Sequence, residues 1–215
     1  MIVCWSAKGG SGTTVVAAAL AVTLAGRRDG GVTLVDAAGD VPAVLGAAEP
    51  GGLGLGDWLA NADAPAEAVA NLVVPCADGI GVVPRGTVEP RASGAGTARL
   101  AEFAAALQGR SVVIDAGSGA SAYLDLVAVA RTSLLVVRPC YLALRRAVAL
   151  GGRADGVILL SEPGRALGRH DVESVLGAPV VAEVPVEPSL ARAVDAGLLA
   201  TRIPRSLSSV LGRVA

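Results

Sequence analysis

The sequence predicts an α/β fold: a single domain over residues 1–215, with a mostly parallel sheet of about seven or eight strands and helices on both faces. Three observations predict it. Short runs of Val, Ile and Leu alternate with longer Ala/Leu-rich stretches along the whole chain, and strands separated by helices imply right-handed crossovers and a parallel sheet. The apolar runs are continuous rather than alternating with polar residues, as expected of strands buried on both faces. Hydrophobic residues make up 53% of the 215, with a mean hydropathy of +0.59, which supplies a large core and excludes a disordered chain.

Taken in order, residues 2–6 read as the first strand, 13–27 as a helix apolar nearly all round, and 31–36 as the second strand. Short helical stretches follow at 42–48, 55–60 and 65–71, then a strand at 80–83. The segment 86–96 is the most polar and reads as a loop. Beyond it come a helix at 97–108, a strand at 111–115 and a helix at 121–130. Strands at 133–138, 156–160 and 179–184 then alternate with helices at 142–150, 171–176 and 189–196, and a last short helix covers 205–213. No internal repeat and no Ser/Pro-rich linker interrupts this order.

Several function classes have no material here. No stretch of about 18 apolar residues runs free of Gly, Pro and charge, so no spanning helix is expected. The first residues lack a basic region and a signal-peptide core, which places the chain in the cytoplasm as an expectation. A net charge of −1 provides no field to draw in nucleic acid. Cys4, Cys76 and Cys140 are odd in number and far apart; they form neither a disulfide framework nor a metal spacing, and read as core thiols. His170 is the single histidine, beside Asp171, which reads as a helix N-cap. Trp58 reads as a half-buried packing residue or an exposed anchor.

One basic residue stands apart. Lys8 is the only lysine among 18 lysines and arginines. A chain that otherwise uses arginine and keeps one lysine, inside a glycine-rich loop, points to a need for a compact ammonium. That loop is Ala7-Lys8-Gly9-Gly10-Ser11-Gly12-Thr13-Thr14, between a strand and a helix. Glycines let backbone N–H groups turn toward an anion, and the helix N-terminus adds partial positive charge. In the usual phosphate loop a lysine and then a Ser/Thr follow the last glycine; here Thr13 and Thr14 follow Gly12, and Thr14 keeps the magnesium-hydroxyl position.

Lys8-Gly9-Gly10-Ser11-Gly12-Thr13-Thr14 resembles the deviant Walker A motif of the ParA/MinD-type P-loop ATPases, Lys-Gly-Gly-x-Gly-Lys-Thr. The resemblance extends along the chain. Val32-Thr33-Leu34-Val35-Asp36 is similar to the strand that ends in the family's Asp. Val112-Val113-Ile114-Asp115-Ala116-Gly117 is similar to the Walker B strand. The segment 184–197, with Pro185, is similar to the late proline loop and helix near the adenine.

The resemblance implies a P-loop NTPase fold that binds ATP or ADP with Mg2+. It implies Gly9, Gly10, Ser11, Gly12, Thr13 and Thr14 for the phosphate cradle and Pro185 for the base. It further implies Lys8 for a contact to a partner copy's phosphates, Thr14, Asp36 and Asp115 for the metal, and Lys8 and Asp36 for catalysis. Partners implied are a nucleotide-dependent homodimer and a protein adaptor or cargo, with DNA or a membrane as the surface bound. For DNA, Arg202, Arg205 and Arg213 are the thin basic candidates; the short 205–213 helix predicts weak membrane attachment at best. Arg138, Arg145 and Arg146 follow a strand's C-terminal end, a place where ligands or partners bind.

Two departures bear on catalysis. Thr13 stands where the family has its in-cis lysine, and Asp36-Ala37-Ala38 stands where it has Asp-x-Asp. Asp40 is the remaining carboxylate that could orient a water. Each lost electrostatic stabiliser costs on the order of 3–4 kcal/mol of barrier. The expectation is therefore nucleotide binding with slow hydrolysis, the alternative being a scaffold of the same fold that does not hydrolyse.

Overall fold

The computed structural model describes residues 1–27, 30–90, 96–118, 124–151 and 154–214, with only the backbone for Gly96, Thr97 and Leu124. One eight-stranded sheet runs through it in the order β3-β4-β2-β5-β1-β6-β7-β8. The strands are β1 (Ile2–Ser6), β2 (Val32–Asp36), β3 (Val74–Ala77), β4 (Ile80–Val83), β5 (Ser111–Ser118), β6 (Thr132–Val137), β7 (Gly156–Ser161) and β8 (Val180–Pro185). All neighbours pair in parallel except β3 and β4. The helices are α1 (Thr13–Ala25), α2 (Val41–Leu45), α3 (Leu55–Ala60), α4 (Gly96–Ala106), α5 (Leu124–Val129), α6 (Tyr141–Leu150), α7 (Arg169–Leu176), α8 (Pro188–Asp195) and α9 (Arg205–Leu211), with a 3-10 turn at Ala66–Leu72.

Both faces of the sheet are covered, as the continuous apolar strands require. On one face Cys4, Leu34, Val113 and Ile158 pack against Leu20 of α1 and Leu207 and Leu211 of α9. On the other, Trp5, Val35 and Ile114 pack against Trp58 of α3, Phe103 of α4 and Leu126 of α5. A third cluster joins Val137 and Val157 to Leu144 of α6 and Val172 of α7. Helix α1 is apolar all round because the sheet lies on one side and α2 and α9 on the other. Each fully buried leucine contributes about 1.5–3 kcal/mol relative to exposure.

Several expectations change in detail. Strand β3 was not anticipated: Val74-Pro75-Cys76-Ala77 is short and holds a proline, which a sheet tolerates at its edge. Strand β5 continues past Asp115 to Ser118, where it still pairs with Ser6 of β1. Helix α2 stops at Leu45 because Gly46 adopts φ 73°. Asp171 is the third residue of α7 rather than its cap, and accepts from the Gly168 N–H at 2.8 Å. Trp58 is buried, with its indole N–H donating to the Pro65 carbonyl and Arg99 stacked 3.6 Å from its ring centre. Cys4 is a core thiol, whereas Cys76 and Cys140 are only partly buried. The start of the 86–96 loop is pinned: Asp57 accepts from the N–H groups of Thr87 and Val88. Residues 91–95 of that loop, and the start of the helix expected at 121–130, lie outside the described residues.

Candidate nucleotide site

The carboxyl ends of β1, β2 and β5 meet at the centre of the sheet, where chain connections leave in opposite directions. Such a switch point opens a crevice for ligands. Here it holds a cleft of about 640 Å³, walled by Gly10 to Thr14 on one side and by Ala38, Asp40, Gly117 and Ser118 on the other.

The 8–14 loop has the geometry of an anion cradle. Gly10 and Gly12 take φ 74° and 81°, conformations that side chains disfavour. At Gly12 a Cβ would also lie 2.8 Å from Leu160 Cδ1, so the leucine side chain would have to shift. The loop is tied from beneath: Ser11 Oγ donates to the Lys8 carbonyl at 2.7 Å, and Ser6 Oγ to the same carbonyl at 3.2 Å. Helix α1 then begins at Thr13 in the cleft wall, where its first N–H groups have no partner within the helix.

Of the candidate residues, Gly10, Ser11, Gly12, Thr13, Thr14 and Asp40 line this cleft. Thr13 is buried. Gly9 packs near Ser118 Oγ. Lys8 lies outside the cleft lining; half-exposed, its ammonium donates to the Gly9 carbonyl at 3.2 Å.

The acidic residues have distinct settings. Asp36, the last residue of β2, and Asp115, within β5, are register partners. Asp36 holds its own loop: Oδ1 accepts from the N–H groups of Ala38 (3.0 Å) and Gly39 (2.6 Å), and Oδ2 from that of Val41 (3.0 Å). Burial raises its carboxyl above the ordinary value, against the pull of these N–H groups and with a push from Asp40. Asp115 is fully buried. Its Oδ1 accepts from the Gly117 N–H at 3.0 Å, while Oδ2 has no hydrogen-bond partner among the described residues. Burial pushes its carboxyl up to about 7; the nearby Thr14 hydroxyl and the Gly117 N–H oppose this, and the charges of Asp36 and Asp40 add to it.

Three acidic groups around one glycine loop repel one another, and a cation would relieve them. An orphaned buried carboxylate oxygen beside the Thr14 hydroxyl fits a small hard ion that keeps most of its waters, as Mg2+ does. Among the described residues no group of three or more His, Cys, Asp or Glu comes together as a metal cluster, so any remaining ligands would be water and phosphate.

A second, smaller cavity of about 220 Å³ opens from the first, between Gly12 and Val15 on one side and Leu160, Val184, Pro185 and Leu190 on the other. Its walls are mainly apolar, the character of a pocket for a flat heterocycle. Arg138 reaches it while paired to Glu162 at 3.0 Å; Arg145 and Arg146 lie exposed on α6 instead.

Sequence reasoning missed Arg85. Its guanidinium reaches the Ala38 carbonyl at 3.5 Å, and its side chain packs 3.3 Å from where a Gly39 Cβ would stand, over the loop that Asp36 holds. Its separation of 47 residues from Ala38 left no local signal. The other basic candidates, Arg202, Arg205 and Arg213, are exposed, while the apolar side of α9 is spent on the core through Leu207 and Leu211. No described helix is long and apolar enough to cross a membrane.

No protein-family model matches the chain, and no curated protein sequence matches it. Solved structures do. A ParA family ATPase from Chlorobium tepidum TLS superposes with a TM-score of 0.75 at 18% identity, over 98% of this chain and 94% of that one. The septum site-determining protein MinD of Pyrococcus horikoshii OT3, complexed with Mg-ADP, gives 0.75 at 19% identity, over 99% and 93%. The MinC:MinD cell division complex of Aquifex aeolicus gives 0.77 at 20% identity, over 99% and 94%. At these identities the likeness shows the fold: the chain has the P-loop fold of the ParA and MinD ATPases over nearly its whole length.

Proposed function

We propose that the chain is a nucleotide-responsive switch of the ParA/MinD type. It binds ATP or ADP with Mg2+ at the 8–14 loop, hydrolyses ATP slowly, pairs with a second copy when loaded, and positions a cellular cargo through an adaptor protein. The observation that carries this reading is the buried Asp115 carboxylate, with one oxygen unpartnered among the described residues and the Thr14 hydroxyl nearby, beneath a glycine loop at a helix N-terminus. The likeness to a Mg-ADP-bound MinD and to a MinC:MinD complex supports a nucleotide ligand and a protein adaptor.

In this reading the α1 N-terminus and the N–H groups of 10–14 hold the phosphates, and Pro185 borders the base. Thr14 and Asp115 hold the cation, Asp115 directly or through water. Bound Mg2+ neutralises phosphate charge and polarises the reacting phosphoryl group. Asp36 orders the loop that carries Asp40, and Asp40, in the cleft wall, is the carboxylate left to orient water. Slow turnover follows from the uncharged, buried Thr13 and from Ala38. Asp36, with both oxygens engaged by backbone N–H groups, favours the non-hydrolysing scaffold as the second reading.

A thermal-unfolding series tests binding. Mg-ATP at a hundredfold excess over Kd stabilises by about 2.7 kcal/mol, or roughly 5–10 °C for a chain of this size. No shift with Mg-ATP or Mg-ADP would remove the reading. Turnover then separates the two versions: measurable phosphate release lost in Asp40→Asn and raised by Thr13→Lys with Ala38→Asp supports the switch, and a background rate with binding intact supports the scaffold.

A further inference from the structure

Among the described residues the two cavities of the site share four wall residues: Gly12, Val15, Val194 and Asp195. Of these, Asp195 alone has a side chain that makes hydrogen bonds. If phosphates lie in the larger cleft and a base in the smaller one, the sugar between them lies at this junction. We propose that Asp195 is the ribose-reading residue of the site. Its carboxylate accepts from the 2′- and 3′-hydroxyls, and so selects ribonucleotides over their deoxy counterparts. The proposal rests on the nucleotide-binding reading and names a specificity that reading leaves open.

Four observations converge on it. The Asp195 carboxylate has no hydrogen-bond or ion-pair partner among the described residues, so it is free to accept. A vicinal diol offers two O–H donors at the spacing of two carboxylate oxygens, and hydrogen bonds to a charged acceptor are about twice as strong as neutral ones. Position is fixed as well. Asp195 ends α8, and the turn behind it is closed by Gly197 N–H to the Val194 carbonyl at 2.9 Å and Leu198 N–H to the Ala193 carbonyl at 2.7 Å. That turn is wedged against α2, where a Cβ on Gly197 would stand 2.9 Å from Gly46 Cα. Finally, Asp195 shares the wall of the larger cleft with Asp40, and a further carboxylate there repels phosphate. At the junction it is useful only to a ligand that brings donors, which the sugar does and the phosphates do not.

Isothermal titration in Mg2+ with ATP, 2′-deoxy-ATP, 2′,3′-dideoxy-ATP and inorganic tripolyphosphate tests the assignment on wild type, Asp195→Ala and Asp195→Asn. Wild type should bind ATP about ten- to a hundredfold tighter than dideoxy-ATP, the range for hydrogen bonds to a charged group. Asp195→Ala should bring that ratio close to one by weakening ATP alone, with dideoxy-ATP and tripolyphosphate unchanged or slightly tighter. Asp195→Asn, which keeps an acceptor without the charge, should retain part of the preference. Equal binding of ATP and dideoxy-ATP by wild type overturns the ribose assignment while leaving nucleotide binding in place. Loss of affinity for all four ligands alike in Asp195→Ala overturns it too, since that marks a structural role. Failure of wild type to bind either ATP or tripolyphosphate removes the nucleotide reading and this inference with it.

Discussion

Asp115 concentrates the electrostatic problem of the site in one residue. Burial pushes its carboxyl up to about 7, whereas the unfolded chain releases that proton near the ordinary Asp value of about 3.9. Between these values the folded state holds the proton and the unfolded state does not, so stability falls as pH rises through this window. The contribution is fully present below about pH 4 and fully lost above about pH 7. Asp36, also raised, adds a change of the same sign. Asp115→Asn should therefore flatten the fall of Tm between pH 4 and 7 and raise Tm of the ligand-free protein at pH 8. It should also abolish any stabilisation by Mg2+ with nucleotide. An unchanged Tm–pH slope in the variant would show that the carboxylate is relieved by some other group. Asp115 was legible in the sequence as the end of an apolar strand, but its orphaned oxygen and its pairing with Asp36 were not, since both depend on the register of two strands about 80 residues apart.

At the level of elements, the pattern of apolar runs carried the α/β alternation and seven of the eight strands, because burial on both faces leaves a signature that polar residues do not interrupt. It failed where the signature is weak. The edge strand β3 needs apolar residues on one side only and contains Pro75. Close backbone approaches leave no periodic trace either. Gly46, at the end of α2, meets Gly197, behind α8, so closely that a Cβ on Gly46 would stand 1.8 Å from the Gly197 carbonyl oxygen. A backbone oxygen cannot step aside as a side chain can, and Gly46 also has φ 73°. Gly46→Ala should then cost about 2–4 kcal/mol through overpacking and strain, read as a lower midpoint in urea. It should also weaken ATP binding by displacing α8 from the cleft. Gly51→Ala is the matched control: no atom lies within 4 Å of its Cβ, and its effect should stay within about 0.5 kcal/mol. Equal effects from the two variants would show that the α2–α8 contact yields freely.

For the whole molecule, the question is whether one copy suffices. The cleft of a single chain gathers acidic groups and backbone donors, but Lys8, the lone lysine, is not among its walls. Its ammonium is half-exposed and, among the described residues, donates to the neighbouring Gly9 carbonyl alone, a contact it can leave at little cost. With Thr13 in place of a lysine, a triphosphate held by one chain keeps more of its charge unneutralised, and a cation presented from a second copy would relieve it. Lys8→Ala should leave the stability of the isolated chain within about 0.5 kcal/mol of wild type, since the side chain supports no core. The same variant should abolish association in Mg-ATP, measured by sedimentation velocity with and without nucleotide. Lys8→Arg should restore it poorly, because a planar guanidinium is bulkier than an ammonium among glycines. A wild type that remains monomeric in Mg-ATP would sink the dimer switch. So would a dimer that forms without nucleotide and ignores Lys8→Ala. Either result would leave a nucleotide-binding scaffold whose assembly ligand does not control, with Lys8 idle in it.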